Sequence, residues 1–156
     1  MLSVVMPAHN EQDYLKAAGE PVVGALRCQG EHFEVLVVEN GSTDETRAVA
    51  NSLAEHHPEV KALTLGVADY GAALRCGLPE ADGDWVVNFD VDFVDLSFLR
   101  QALEVAECTG AVVVVDSRRG PGLGVNDTHG LSCSAGRSWH HWPRQRGSEA
   151  TSSTLS

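Results

Sequence analysis

The sequence has no apolar run approaching the roughly 20 residues that a bilayer-spanning helix needs, so no transmembrane segment is expected. It also lacks the basic flank and apolar core of a secretory signal. Met1 runs directly into Leu2-Ser3-Val4-Val5-Met6, and the expected location is the cytoplasm, with peripheral contact at the inner face of a membrane left open. Cysteine is sparse. Cys28, Cys76, Cys108 and Cys133 stand far apart with no paired metal-ligand spacing, and suit small buried or half-buried residues in a reducing compartment. Positive charge is short as well: 11 Lys and Arg face 22 Asp and Glu, a formal net charge of −11. That balance argues against nucleic acid or an anionic membrane surface as the main partner. It leaves room for a phosphorylated small molecule, provided that a metal ion and backbone amides supply positive field locally.

What is present is an ordinary globular composition, 43% hydrophobic and 21% charged, at a length of 156 residues that fits one domain with a real core. Strand-like runs at Leu2–Met6, Phe33–Val38, Val60–Leu65, Trp85–Phe89 and Ala111–Val115 alternate with segments of helical length. Several are near-continuous in Val and Leu, as parallel strands covered on both faces require. Leu96, Leu99, Leu103 and Ala106 share one helical face, with Asp95 or Ser97 as the cap. Ser42-Thr43-Asp44-Glu45 has the pattern of a capping box opening a second helix. A first helix, from about Glu11 to Leu26, should be kinked or interrupted by Pro21. The fold class predicted is α/β: an open, mostly parallel sheet with helices on both faces and right-handed crossovers.

Such sheets bind ligands beyond the carboxyl ends of their strands, and here each strand runs into a polar cluster. The clusters are Pro7–Glu11, Glu39–Ser42, Gly66–Gly71, Asp90–Asp92 and Asp116–Arg119. The fourth is the most informative. Trp85-Val86-Val87-Asn88-Phe89-Asp90-Val91-Asp92 reads as a buried strand delivering two carboxylates where it ends. Residues two apart on a strand face the same way, and two such carboxylates repel unless a cation lies between them. Mg²⁺ or Mn²⁺ fits, being a hard oxygen-seeking ion that bridges carboxylates to phosphates. An acidic pair closing a strand at the solvent edge is the plainer alternative.

Taken together, VVMPAHNEQDYL (4–15), VLVVENGSTDET (35–46), ADYGAALRCGL (68–78) and GDWVVNFDVDF (83–93) resemble family 2 glycosyltransferases of the GT-A fold, over about residues 2 to 119. The ENGSTD variant and the DTHGL-like element are most similar to members that glycosylate polyprenyl phosphate or related lipid carriers. The resemblance implies a nucleoside-diphosphate sugar as donor, Mg²⁺ or Mn²⁺ as cofactor, and inverting transfer to an acceptor such as a lipid phosphate at the membrane surface. It assigns Pro7, Ala8 and Glu11 to the base and ribose pocket, and Asn40 to a base contact where many members carry aspartate. Gly71 would allow close backbone approach to the nucleotide. Asp90 would face ribose or metal, Asp92 the metal, and Arg118 a phosphate. Asp127 is the one downstream candidate for a general base. Plainer readings stand beside these: a turn at Asn40-Gly41, a helix-start glycine at Gly71, a surface arginine at Arg118.

The chain also departs from the family pattern. Gly124–Leu131 follows the Ser-Arg element almost at once, where relatives carry several tens of residues. The expected organisation is therefore a nucleotide-sugar domain over 1–131, incomplete at its C-terminal side and lacking much of the acceptor half, and a tail over 132–156 that is disordered or out of frame. That tail has no apolar period, carries three arginines against one acid, and holds His140 and His141 between Trp139 and Trp142. A remnant that binds nucleotide and metal without transfer is a competing expectation. A D-x-D phosphatase is a further one, disfavoured because its motif follows the first strand of the core and this one follows the fourth.

Overall fold

The computed structural model describes residues 1–30, 32–109, 113–115 and 132–135. The chain begins with β1 (Leu2–Ala8), α1 (Leu15–Gln29), β2 (Phe33–Asn40), α2 (Thr46–His56) and β3 (Val60–Leu65). Then come α3 (Tyr70–Gly77), a 3₁₀ turn at Leu78–Glu80, β4 (Trp85–Asn88), α4 (Leu96–Thr109), β5 (Val113–Val115) and β6 (Ser132–Ala135). The strands form one sheet in the order β3-β2-β1-β4-β6-β5. The pairs β1–β2, β2–β3 and β1–β4 are parallel, and β6 runs antiparallel to both of its neighbours.

Strand alternation sorts the side chains into two cores. Val4, Met6, Val35, Val37, Val87 and Phe89 face one side, where Val22, Val23 and Leu26 of α1, Leu53 of α2 and Leu99 of α4 close over them. Val5, Leu36, Val38 and Val86 face the other, covered by Ala73 of α3. The two sides follow from chirality. The chain walks outward from β1 to β3 and then doubles back to β4, so right-handed crossovers must place α3 opposite α1 and α2. The doubling back makes the gap between β1 and β4 the switch point of the sheet, where adjacent loops leave in opposite directions and open a crevice.

Four local expectations are corrected. Helix α1 begins at Leu15, not near Glu11, and runs unbroken through Pro21. The backbone bond lost at Pro21 is outweighed by Val22, Val23 and Leu26, each at most 1% exposed against the sheet. The capping box at Ser42–Glu45 does not form: α2 starts at Thr46, whose N–H donates to Asp44 Oδ1 at 3.0 Å. Ser42 and Thr43 are drawn instead to the first loop, through Asn10 N to Ser42 Oγ and Thr43 N to Asn10 Oδ1. Finally Ser132–Ala135, expected in an aperiodic tail, is the strand that joins β4 to β5. A four-residue strand is too short to show a period, and backbone pairing on both sides needs none. Asp95 does cap α4, accepting from Ser97 N at 2.9 Å and Phe98 N at 3.0 Å.

At the opposite, amino end of the sheet a buried carboxylate ties three segments together. Glu34 accepts from Ser3 Oγ at 2.6 Å, Asp82 N at 2.7 Å and Lys61 Nζ at 2.7 Å. Burial alone would raise its pKa, but these bonds and the Lys61 charge outweigh it and hold the carboxyl below its ordinary value. No helix among the described residues is long and apolar enough to cross a membrane.

Candidate functional site

An open cleft of about 490 Å³ lies at the carboxyl ends of the strands, lined by residues from the ends of β1, β2 and β4 and from the start of α3. Of the residues singled out in the sequence, Pro7, Glu11, Asn40, Asp90 and Asp92 line it. A second hollow of about 540 Å³, between α1 and α2, lies away from the strand ends and gathers none of them.

The first two loops are built as one unit. Asn10 adopts φ +57°, a left-handed conformation that asparagine tolerates better than most residues. Its Oδ1 accepts from Thr43 N at 2.9 Å and from Thr43 Oγ1 at 3.2 Å. Glu11 N donates to Thr46 Oγ1 at 2.7 Å, and Glu45 N donates to Gln12 Oε1 at 3.0 Å. His9 Nδ1 lies 2.9 Å from the Asn40 carbonyl oxygen, which can only accept, so the proton sits on Nδ1. These bonds hold Glu11 and Asn40 on neighbouring walls. Asn40 is 4% exposed, and its Oδ1 is buried with no hydrogen-bond partner among the described residues. A buried, unpaired acceptor costs about 1–3 kcal/mol, so this atom suits a donor arriving with a ligand.

On the far wall the chain turns sharply after β4. Phe93 N donates to Asp90 O at 3.0 Å, which closes the turn between the two carboxylates and Phe93. Tyr70, the first residue of α3, reaches across: its hydroxyl donates to Asp90 Oδ1 at 2.9 Å and accepts from Asn88 Nδ2 at 2.9 Å. Burial pushes the Tyr70 phenol up to about 12, the bond from Asn88 opposes this, and Asp90 adds to it. The phenol is therefore a donor at neutral pH.

The cleft's field is negative. Glu11 is raised above its ordinary value, first by burial, then by the charges of Asp92 and Asp44, with His9 opposing and Asp90 adding. No lysine or arginine is among the described lining residues. Nor do three or more His, Cys, Asp or Glu side chains converge as a ready metal cage among the described residues. The donor set nonetheless suits Mg²⁺ or Mn²⁺, whose usual sites take one or two carboxylates and complete the shell with water and phosphate oxygens. Asp90 and Asp92 could hold such an ion while leaving most of its positions to a ligand.

Other predicted residues fall elsewhere. The Ala8 side chain is 1% exposed and belongs to the hydrophobic core, because alternation turns it away from the face that Pro7 presents. Gly71 is not among the lining residues, and a Cβ there would meet Arg75 Nη1 and Asp69 Oδ1 at 3.2 and 3.3 Å. Arg118 and Asp127 lie outside the described residues. Tyr70, His9 and Asn88 were missed. Tyr70 stands inside the quoted ADYGAALRCGL segment, but its partners are 18 and 20 residues away, and no local spacing signals that contact.

Comparison with known proteins bears on family and fold. The family model for Glycosyl transferase family 2 matches residues 3–154. The undecaprenyl-phosphate 4-deoxy-4-formamido-L-arabinose transferase of Enterobacter sp. (strain 638) is 31% identical over 93 residues, which are 58% of this chain and 28% of that protein. The chain thus spans less than a third of the length of this relative. Among solved structures, mannosyl-3-phosphoglycerate synthase from Rubrobacter xylanophilus superposes with a TM-score of 0.70 at 19% identity, covering 87% of this chain and 53% of that one. A mannosyltransferase from Pyrobaculum calidifontis, in complex with GDP-Man and Mn²⁺, gives 0.67 at 22% identity over 86% of this chain and 44% of that one. At these identities the structural likeness is one of fold.

Proposed function

The chain belongs to glycosyl transferase family 2 and has its GT-A fold, and from that premise we propose that it binds a nucleoside-diphosphate sugar with Mg²⁺ or Mn²⁺ in the strand-end cleft and transfers the sugar with inversion. The acceptor proposed is a polyprenyl phosphate at the inner membrane surface. One observation carries the reading: the ends of β1, β2 and β4 bring Glu11, Asn40, Asp90 and Asp92 into one cleft at the switch point of the sheet.

In this reading Asn40 meets the base edge, its unpaired Oδ1 taking a base N–H. Pro7 packs beside the nucleoside, and Glu11 accepts from a ribose hydroxyl. Asp90 and Asp92 supply the oxygens for the divalent ion, and Asp90 also lies within reach of the ribose. When bound, that ion supplies Lewis-acid neutralisation of the charge developing on the diphosphate as it leaves. Arg118 would add a bidentate contact to phosphate. The acceptor attacks the anomeric carbon on the face opposite the nucleotide, forming the new C–O bond as the old one breaks. A phosphate acceptor is already ionised and needs no base; a hydroxyl acceptor would need one, the role proposed for Asp127. The named substrate of the Enterobacter relative supports a lipid-phosphate acceptor, and the Mn²⁺ and GDP-Man of the Pyrobaculum structure support the metal and donor class.

A second reading, nucleotide and metal binding without transfer, is favoured by one feature: the described lining residues given a role here, Pro7, Glu11, Asn40, Asp90 and Asp92, all serve the donor or its cation. Both are tested by release of nucleoside diphosphate from UDP- and GDP-sugars in Mn²⁺, with and without a short-chain polyprenyl phosphate. Acceptor-dependent release with formation of glycosylated lipid is expected. Nucleotide binding without release under any acceptor would replace the first reading by the second.

A further inference from the structure

Asp90 is held at two points, and only one of them is its own backbone. Phe93 N pins the Asp90 carbonyl at 3.0 Å and so sets the turn. The carboxylate would still be free to rotate, but its Oδ1 is engaged by the Tyr70 hydroxyl at 2.9 Å, and that hydroxyl is itself engaged by Asn88 Nδ2 at 2.9 Å. The direction of this chain is forced. A carboxylate has no proton to give and an amide nitrogen no lone pair to offer, so the amide donates to the phenol oxygen and the phenol donates to the carboxylate. Tyr70 comes from α3, on the opposite side of the cleft mouth from α1 and α2, and the bond ties that helix start to the end of β4.

We propose that Tyr70 is a positioning residue for the donor site, fixing the Asp90 carboxylate through the Asn88–Tyr70–Asp90 hydrogen-bond chain so that Oδ2 is presented to the cation and nucleotide. The inference rests on the reading of Asp90 and Asp92 as the cation's carboxylates. Its physical content is preorganisation. A carboxylate already held in one rotamer loses less freedom when it takes up a ligand, and one oxygen spent on Tyr70 leaves a defined second oxygen for the site. Tyr70 itself touches neither reacting atom; it acts through Asp90.

The test is calorimetric titration of UDP and GDP, each in Mn²⁺ and in EDTA, on the parent, Tyr70→Phe, Asp90→Asn and the double variant. Electron paramagnetic resonance of free Mn²⁺ serves as a second readout of metal uptake. Tyr70→Phe keeps the ring and removes only the hydroxyl. It should weaken Mn²⁺-dependent nucleotide binding about five- to tenfold, the loss expected when one more side chain must be ordered on binding. Binding in EDTA, where only the nucleotide contact of Asp90 remains, should weaken less. In the Asp90→Asn background the same change should have little further effect. Equal weakening in Mn²⁺ and EDTA, or full additivity with Asp90→Asn, would mean that Tyr70 is only part of the cleft wall and would overturn the proposal. An unchanged Tyr70→Phe overturns it too, while leaving the donor site standing. A folded parent with no Mn²⁺-dependent binding would instead remove the reading of Asp90 and Asp92, and this inference with it.

Discussion

Two helical glycines make opposite predictions from the same substitution. Gly77 ends α3 with φ −74° and ψ −42°, a conformation open to any residue, so replacing it by alanine is a question of space alone. A Cβ there would lie 2.7 Å from Val38 Cγ2 and 2.8 Å from Val5 Cγ1, about an ångström inside a normal carbon–carbon contact. Both valines are 0% exposed, β-branched and held in the sheet, so neither can swing aside and the helix must lift. Relief of glycine's backbone freedom would return at most about 1 kcal/mol. Overpacking a tight core costs about 1–3 kcal/mol, so Gly77→Ala should lose about 1–2 kcal/mol. Gly24, inside α1, has nothing within 4 Å of its missing Cβ. Gly24→Ala should therefore gain up to about 1 kcal/mol. Urea unfolding of both variants against the parent measures the difference directly, with an unchanged slope showing that stability has changed and the compactness of the two states has not. Because Tyr70 begins the helix that Gly77 ends, the lifted helix should also weaken Mn²⁺-dependent nucleotide binding. A Gly77→Ala protein as stable as Gly24→Ala would refute the packing of α3 on β1 and β2.

Acid should find the amino end of the sheet. The Glu34 pKa is held down in the folded state, so its contribution is present in full above about pH 5, where the unfolded carboxylate is also ionised, and is lost as pH falls through the lowered folded value. Glu34→Gln should flatten that part of the stability profile, and Glu34→Ala, which takes the acceptor from the buried Ser3 hydroxyl, should cost about 1–3 kcal/mol by urea unfolding. At the first loop, Asn10→Gly should lose the bonds from Thr43 but keep φ +57° without strain. Asn10→Ala loses the same bonds and adds about 1 kcal/mol of left-handed backbone cost, so it should be the less stable of the two in thermal unfolding.

The parts of this molecule that could be read from the sequence are those written in local pattern. The first four strands, the two-faced sheet and the placing of Asp90 and Asp92 at a strand end all follow from runs of Val and Leu broken by polar clusters. Helix α1 crossing Pro21 could not be read, because burial of Val22, Val23 and Leu26 is a tertiary gain that outweighs a local cost. The failed capping box has the same origin: Ser42 and Thr43 had a better use in a loop more than 30 residues away. Ala8 stands beside Pro7 in the motif but packs into the core, because a motif names neighbours together whereas a strand sends them to opposite faces. Tyr70 joins Asn88 and Asp90 only after the chain has doubled back through β4, so its role belongs to topology.

The central claim is a metal-dependent nucleotide site at the ends of β1, β2 and β4. Its most direct test is calorimetric titration of UDP and GDP into the folded chain, with and without Mn²⁺, on the parent and on Asp92→Asn. Binding of one nucleotide that requires Mn²⁺ and disappears in Asp92→Asn is the predicted result, and it would identify the base as well. Binding that is indifferent to Mn²⁺ and to Asp92→Asn, or no binding of either nucleotide to a protein shown to be folded, would contradict it.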